Sequence, residues 1–107
     1  MKTARQQNQA IRDAFSQTLR RVRKQRNLSQ VGLAHLTEMH RTEISALERG
    51  KREPRLQTLI KLSTALEVPI DAFFSGIEWQ PFVLARTSAG MSHFHVTRPD
   101  RERRPPQ

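Results

Sequence analysis

Along the first quarter of the chain, Ile11, Phe15, Leu19 and Val22 recur at spacings of four, four and three residues among polar neighbours. That spacing puts them on one side of a helix, so it predicts a helix from about Gln9 to Arg26 with one buried stripe. Asn27, which tolerates a left-handed backbone, is its expected stop. Ser29 can take an unpaired backbone N–H two or three residues on, and it opens a short predicted helix, Gln30 to Thr37, with Leu33, Ala34 and Thr37 inward. A third helix follows almost at once, from about Arg41 to Arg49, burying Ile44 and Leu47 while Met39 plugs the bend between the two. Gly50-Lys-Arg-Glu-Pro54 is a breaker cluster. Leu56, Leu59, Ile60, Leu62, Ser63 and Leu66 make a fourth helix that ends before Val68-Pro69. Pro69 suits a first helical turn, so Ile70 to Phe74 reads as a fifth, short helix.

After Ser75-Gly76 the pattern changes. Phe82 to Arg86 and Met91 to Thr97 are short apolar-polar runs around Thr87-Ser-Ala-Gly90, the layout of a hairpin, although Pro81 and the scarcity of β-branched residues weaken it. From Arg98 the sequence RPDRERRPPQ has no core-forming residue and is expected to be disordered. The fold class that emerges is all-α. A compact five-helix domain spans residues 9–75, an extension at 76–97 serves as a hairpin or dimerisation segment, and a basic tail occupies 98–107.

Composition narrows the chemistry. At 107 residues the chain holds one domain and a modest core. It has no cysteine, which excludes disulfides and thiolate metal sites. No apolar run approaches the roughly 18 residues needed to span a bilayer, and MKTARQQNQ lacks the apolar stretch of a signal peptide, so a cytoplasmic, nucleoid-associated location is expected. The net charge is +9, which favours a polyanionic partner. The charge is uneven: residues 1–28 carry +7, residues 29–75 are neutral and residues 76–107 carry +2. A membrane surface fits poorly, because the apolar stripe of the first helix is needed for the core. Nucleic acid is the expected partner, narrowed to double-stranded DNA by the helix-turn-helix described next.

Two short helices at a tight turn, the second with a buried pair at i and i+3 and small polar residues outside, meet the requirements of a helix-turn-helix, here at about residues 29–49. From Phe15 to Phe74 the sequence resembles the Cro/C1-type (XRE-type) helix-turn-helix family, and hence a lambda-repressor-like domain. The likeness rests on Leu19-Arg-Arg-Val22-Arg23, Leu28-Ser29-Gln30-Val-Gly-Leu33-Ala34 and Arg41-Thr-Glu-Ile44-Ser45-Ala-Leu47-Glu48-Arg49-Gly50. Pro54-Arg-Leu56-Gln-Thr58-Leu59 and Leu66-Glu-Val68-Pro-Ile-Asp71-Ala-Phe73-Phe74 continue it. The chain departs from the pattern at the turn, where Glu38 stands in place of the usual Gly, at Gly32 inside the second helix, and at Arg55 in place of a Ser/Thr cap.

The resemblance implies that Gln30 holds a backbone phosphate at the positive end of the second helix, and that Arg23 and Glu48 form a structural ion pair between the first and third helices. His40, Arg41, Thr42 and Glu43 fill the cap and first turn of the third helix, the positions this geometry pushes into the major groove. Arg41 suits guanine or a phosphate and Thr42 a thymine methyl or a phosphate. Glu43 suits cytosine, or instead reaches back to the His40 N–H as half of a capping box. Ser45, Ala46 and Arg49 lie further along the same helix, and Lys51 and Arg52 follow it in a loop where phosphate is the expected contact.

His93 and His95 lack further ligands, so no metal is expected, and no cofactor. No nucleophile-base arrangement or paired carboxylates stand out, so the chain is not expected to be an enzyme. The leading expectation is a sequence-specific transcriptional regulator, a homodimer on a palindromic operator, with Phe74, Ile77, Trp79 and Phe82 as its dimer surface. The alternatives are an antitoxin-type or phage-type protein whose residues 76–107 bind a protein partner, and an interaction module that kept the fold without reading DNA.

Overall fold

The computed structural model describes residues 3–80 and 93–96. In chain order the elements are α1 (Ala4–Gln25), α2 (Gln30–Thr37), α3 (Arg41–Glu48), α4 (Leu56–Leu66), a 3-10 helix (Ile70–Phe74), β1 (Ile77–Gln80) and β2 (His93–Val96). The fifth helical element is thus a tight 3-10 turn rather than an α-helix. The described residues remain predominantly helical, with one small antiparallel sheet.

α1 begins five residues before the expected Gln9. Thr3 caps it: the Gln6 N–H donates to Thr3 Oγ1 at 3.2 Å, and Thr3 N–H donates to Gln6 Oε1 at 2.9 Å. A reciprocal cap of this kind satisfies two orphan donors of the first turn, so the helix extends through polar residues that carry no apolar stripe.

The four α-helices end alike. Asn27, Glu38, Gly50 and Glu67 have φ between 55° and 67°, and the N–H of the next residue turns back to the helix: Leu28 to Arg23 O at 3.2 Å, Met39 to Ala34 O at 3.0 Å, Lys51 to Ala46 O at 3.0 Å and Val68 to Ser63 O at 3.0 Å. A left-handed conformation costs a non-glycine residue about 1 kcal/mol. In the three ends without glycine the next residue, Leu28, Met39 or Val68, packs against the core and offsets that cost. The fourth is followed by Lys51, which is polar and exposed, and there the left-handed residue is Gly50. Glu38 therefore takes the conformation usually given to glycine at this turn.

Phe15, Leu19, Val22, Leu33, Ala34, Ile44, Leu47, Leu59, Leu62, Leu66 and Phe73 form one buried cluster drawn from all four α-helices and the 3-10 turn. Phe73 stands 5.4 Å from Phe15, ring centre to ring centre. Two residues expected in the fourth helix's stripe are instead outside: Leu56 is 71% exposed and Ile60 53%. At about 100° per residue, they sit roughly 90° and 130° around α4 from the centre of the Leu59/Leu62/Leu66 stripe.

β1 and β2 pair antiparallel, Ile77 opposite Val96 and Trp79 opposite Phe94. β2 falls within the expected Met91–Thr97 run, and its partner in the ladder is Ile77–Gln80, a stretch the sequence pattern did not mark as a strand. Phe82–Arg86, the Thr87–Gly90 turn and the tail from Arg98 lie outside the described residues. The four apolar residues of the ladder share one face, since side chains alternate along each strand. Ile77 and Val96 are half-buried, while Trp79 and Phe94 meet edge to face at 4.9 Å and remain exposed.

Candidate nucleic-acid interface

α3 turns its buried side, Ile44, Leu47 and Glu48, inward. With about 100° between successive residues, Thr42, Ala46 and Arg49 point the opposite way; Ser45 and Arg41 lie toward the Glu48 flank and Glu43 toward the Leu47 flank. His40, Arg41, Thr42 and Arg49 are exposed, and Glu43, Ser45 and Ala46 half-buried. The outward face thus has short side chains midway along the helix, where a backbone can approach a base edge closely, and long cations at its two ends. Arg49 Nε folds back onto Ser45 O at 3.3 Å. Glu43 Oε1 accepts a long hydrogen bond, 3.4 Å, from the His40 N–H that precedes the helix, which occupies its carboxylate with the cap.

One buried carboxylate holds this helix to the other two. Glu48 is 3% exposed and accepts from Arg23 Nε at 2.5 Å and from Arg23 Nη2 at 2.9 Å, a two-point contact between α1 and α3. Arg23 Nη1 donates to Leu28 O at 2.7 Å, so the guanidinium also braces the turn into α2. The Glu48 hydrogen bond, aided by the carboxylate charge and opposed by burial, holds the Arg23 guanidinium above its ordinary pKa.

Gln30 joins the same network, its Nε2 donating to Glu48 Oε1 at 3.2 Å. That contact was not legible in the sequence, where Gln30 and Glu48 bear on separate motifs. An amide nitrogen has two hydrogens, so one remains for an anion in front of α2. Ser29 caps that helix end, its Oγ accepting from Gly32 N–H at 2.9 Å.

Lys51 and Arg52 stand exposed in the loop after α3, Arg20 and Lys24 are exposed on α1, and Arg26 is exposed just after it. Arg26 reaches the end of α4, donating to Glu67 O at 3.0 Å. Among the described residues no three His, Asp or Glu side chains group as a metal site, and no helix is long and apolar enough to cross a membrane.

A short bracing helix, a tight left-handed turn and a second short helix with an open polar face define a helix-turn-helix protein. The chain belongs to the helix-turn-helix family HTH_3, whose model matches residues 19–73, and that membership sets it among DNA-binding transcription regulators. It is 39% identical over 62 residues to an uncharacterized HTH-type transcriptional regulator, YqaE, of Bacillus subtilis; the match covers 58% of this chain and 53% of the relative, so the chain spans about half that protein's length. The crystal structure of the restriction-modification controller protein C.AhdI from Aeromonas hydrophila matches with a TM-score of 0.58 and 36% identity, over 59% of this chain and 96% of the controller. The controller protein C.Esp1396I, solved as a tetramer with its natural 35-base-pair operator, matches with a TM-score of 0.55 and 28% identity, over 60% of this chain and 84% of that one. These relatives are a transcriptional regulator and two restriction-modification controller proteins.

Proposed function

We propose that the chain is a sequence-specific transcription regulator that lays α3 in the major groove, as a homodimer on a palindromic operator. The observation that carries the reading is the outward face of α3, with Thr42, Ser45 and Ala46 between Arg41 and Arg49, held rigid from behind by the buried Glu48. Arg41, Thr42, Ser45, Ala46 and Arg49 are the residues set against base edges, with His40 beside them. Gln30, Lys51 and Arg52 anchor phosphates, which fix register without reading sequence. Glu43 is assigned to the cap, because its carboxylate already serves the His40 N–H and would be repelled by phosphates.

A single helix-turn-helix makes few contacts, and two-fold pairing is the general route to a longer site. The exposed Trp79–Phe94 pair and half-exposed Phe74 supply an apolar surface for that pairing; Phe82 lies outside the described residues. The related controller solved as a tetramer on its operator supports both DNA as occupant and assembly of several copies.

Selection of bound fragments from random DNA tests this. Two inverted copies of one short motif, centred about one helical turn apart, are expected. A single unrepeated motif would contradict the homodimer and favour a protein partner for the hairpin. No enrichment at all would contradict sequence reading, and steep salt dependence would not rescue it, since a charge of +9 ensures nonspecific binding.

A further inference from the structure

The early turns of α1 lie ahead of residue 19, where the family match begins, yet they touch the loop that carries Lys51 and Arg52. Gln9 is the centre of this contact and its amide is fully committed. Oε1 accepts from Arg12 Nη2 at 2.8 Å, and Nε2 donates to Asp13 Oδ1 at 2.8 Å and to Gly50 O at 3.1 Å. Reversing the amide would set its NH2 against a guanidinium and its oxygen against two acceptors, so one orientation alone satisfies all three partners.

Gly50 lets the loop come this close. Its φ is +67°, and a Cβ there would stand 2.6 Å from Asp13 Oδ1 and 3.3 Å from Gln9 Nε2. On the other side of the two cations, Glu53 Oε1 lies 3.8 Å from Arg12 Nη1. The residues immediately before Lys51 and immediately after Arg52 are therefore both tied to α1, while the Lys51 and Arg52 side chains stay exposed.

We propose that Gln9, with Arg12, is a positioning residue for DNA binding: it fixes the backbone around Lys51 and Arg52 so that these cations meet phosphates already ordered. Groups ordered before binding lose less freedom on binding. The proposal rests on the assignment of Lys51 and Arg52 to phosphate. Gln9 is the stronger of the two, since a long ion pair, 3.8 Å, to the exposed Glu53 contributes little by itself.

The test is a double-mutant cycle on the full chain. Gln9→Ala is expected to weaken DNA binding by about 3- to 10-fold, the range of one lost hydrogen bond, by the same factor on every sequence tried. In a Lys51→Ala/Arg52→Ala background the same change is expected to have little effect. Gln9→Met, which keeps the length of the side chain without its hydrogen bonds, should behave like Gln9→Ala and guards against a loss that comes only from packing. Unchanged affinity, or a loss that persists in full without the two cations, would overturn the proposal. Because phosphate contact is independent of sequence, the cycle can be read on nonspecific DNA. Failure of sequence reading and failure of this inference are therefore separate results.

Discussion

Replacing Glu48 with alanine is expected to destabilise the folded chain by about 3 to 5 kcal/mol, the range for removing one partner of a buried ion pair. The change leaves the guanidinium of Arg23, a residue 9% exposed, without its two carboxylate bonds, and leaves Gln30 without its acceptor. Only the bond to Leu28 O remains. Against a total of about 5 to 15 kcal/mol for a small domain, this is enough to populate the unfolded state. Urea denaturation of the two proteins measures it, and a loss below about 1 kcal/mol would mean that the pair behaves as an exposed one. The Arg23 side of the pair brings no pH dependence near neutrality. Its pKa is raised on folding, so its contribution is fully present below the unfolded value and is lost only as pH climbs through the still higher folded one, far from neutrality.

Phe73→Ala is the second large effect, expected at about 3 to 5 kcal/mol. Phe73 is 1% exposed and meets Phe15 across the gap between the 3-10 turn and α1. β1 begins four residues later at Ile77, so unseating this ring also frees the hairpin assigned to dimerisation. The adjacent Phe74 is 45% exposed and should cost within about 0.5 kcal/mol when changed to alanine. Thermal or urea unfolding of both variants, with sedimentation analysis of the folded fraction, separates the roles. Phe73→Ala loses stability first, whereas Phe74→Ala keeps stability and weakens self-association. Equal stability losses at the two positions would contradict the packing described.

The same contrast shows what was legible in the sequence. α2 and α3 are marked by local signals, Ser29 before one and Gly50 after the other, and their observed bounds, Gln30–Thr37 and Arg41–Glu48, fall within a residue of those expected. The buried stripe of α1 was legible for the same reason, but its start was not, because apolar periodicity begins at Ile11 while the cap that starts the helix is polar and sits at Thr3. α4 carries apolar residues around more than half its girth, so periodicity alone could not say that Leu56 and Ile60 face out. The Gln9–Gly50 contact joins residues 41 apart, and no spacing rule reaches that far. The family resemblance paired Arg23 with Glu48; only the structure showed that Gln30 shares the carboxylate.

In the proposed complex α3 reads bases while the loop after it holds phosphate. The direct measurement compares Arg41→Ala and Lys51→Ala with the unaltered protein, titrating each at fixed salt against the selected operator and its single base-pair variants. Arg41→Ala is expected to cost about 1 to 3 kcal/mol and to flatten the preference at one base-pair position; Lys51→Ala should weaken every sequence alike and shallow the salt dependence by about one charge. If Arg41→Ala also weakens every sequence alike, with preference intact at all positions, Arg41 is not part of the face that reads bases.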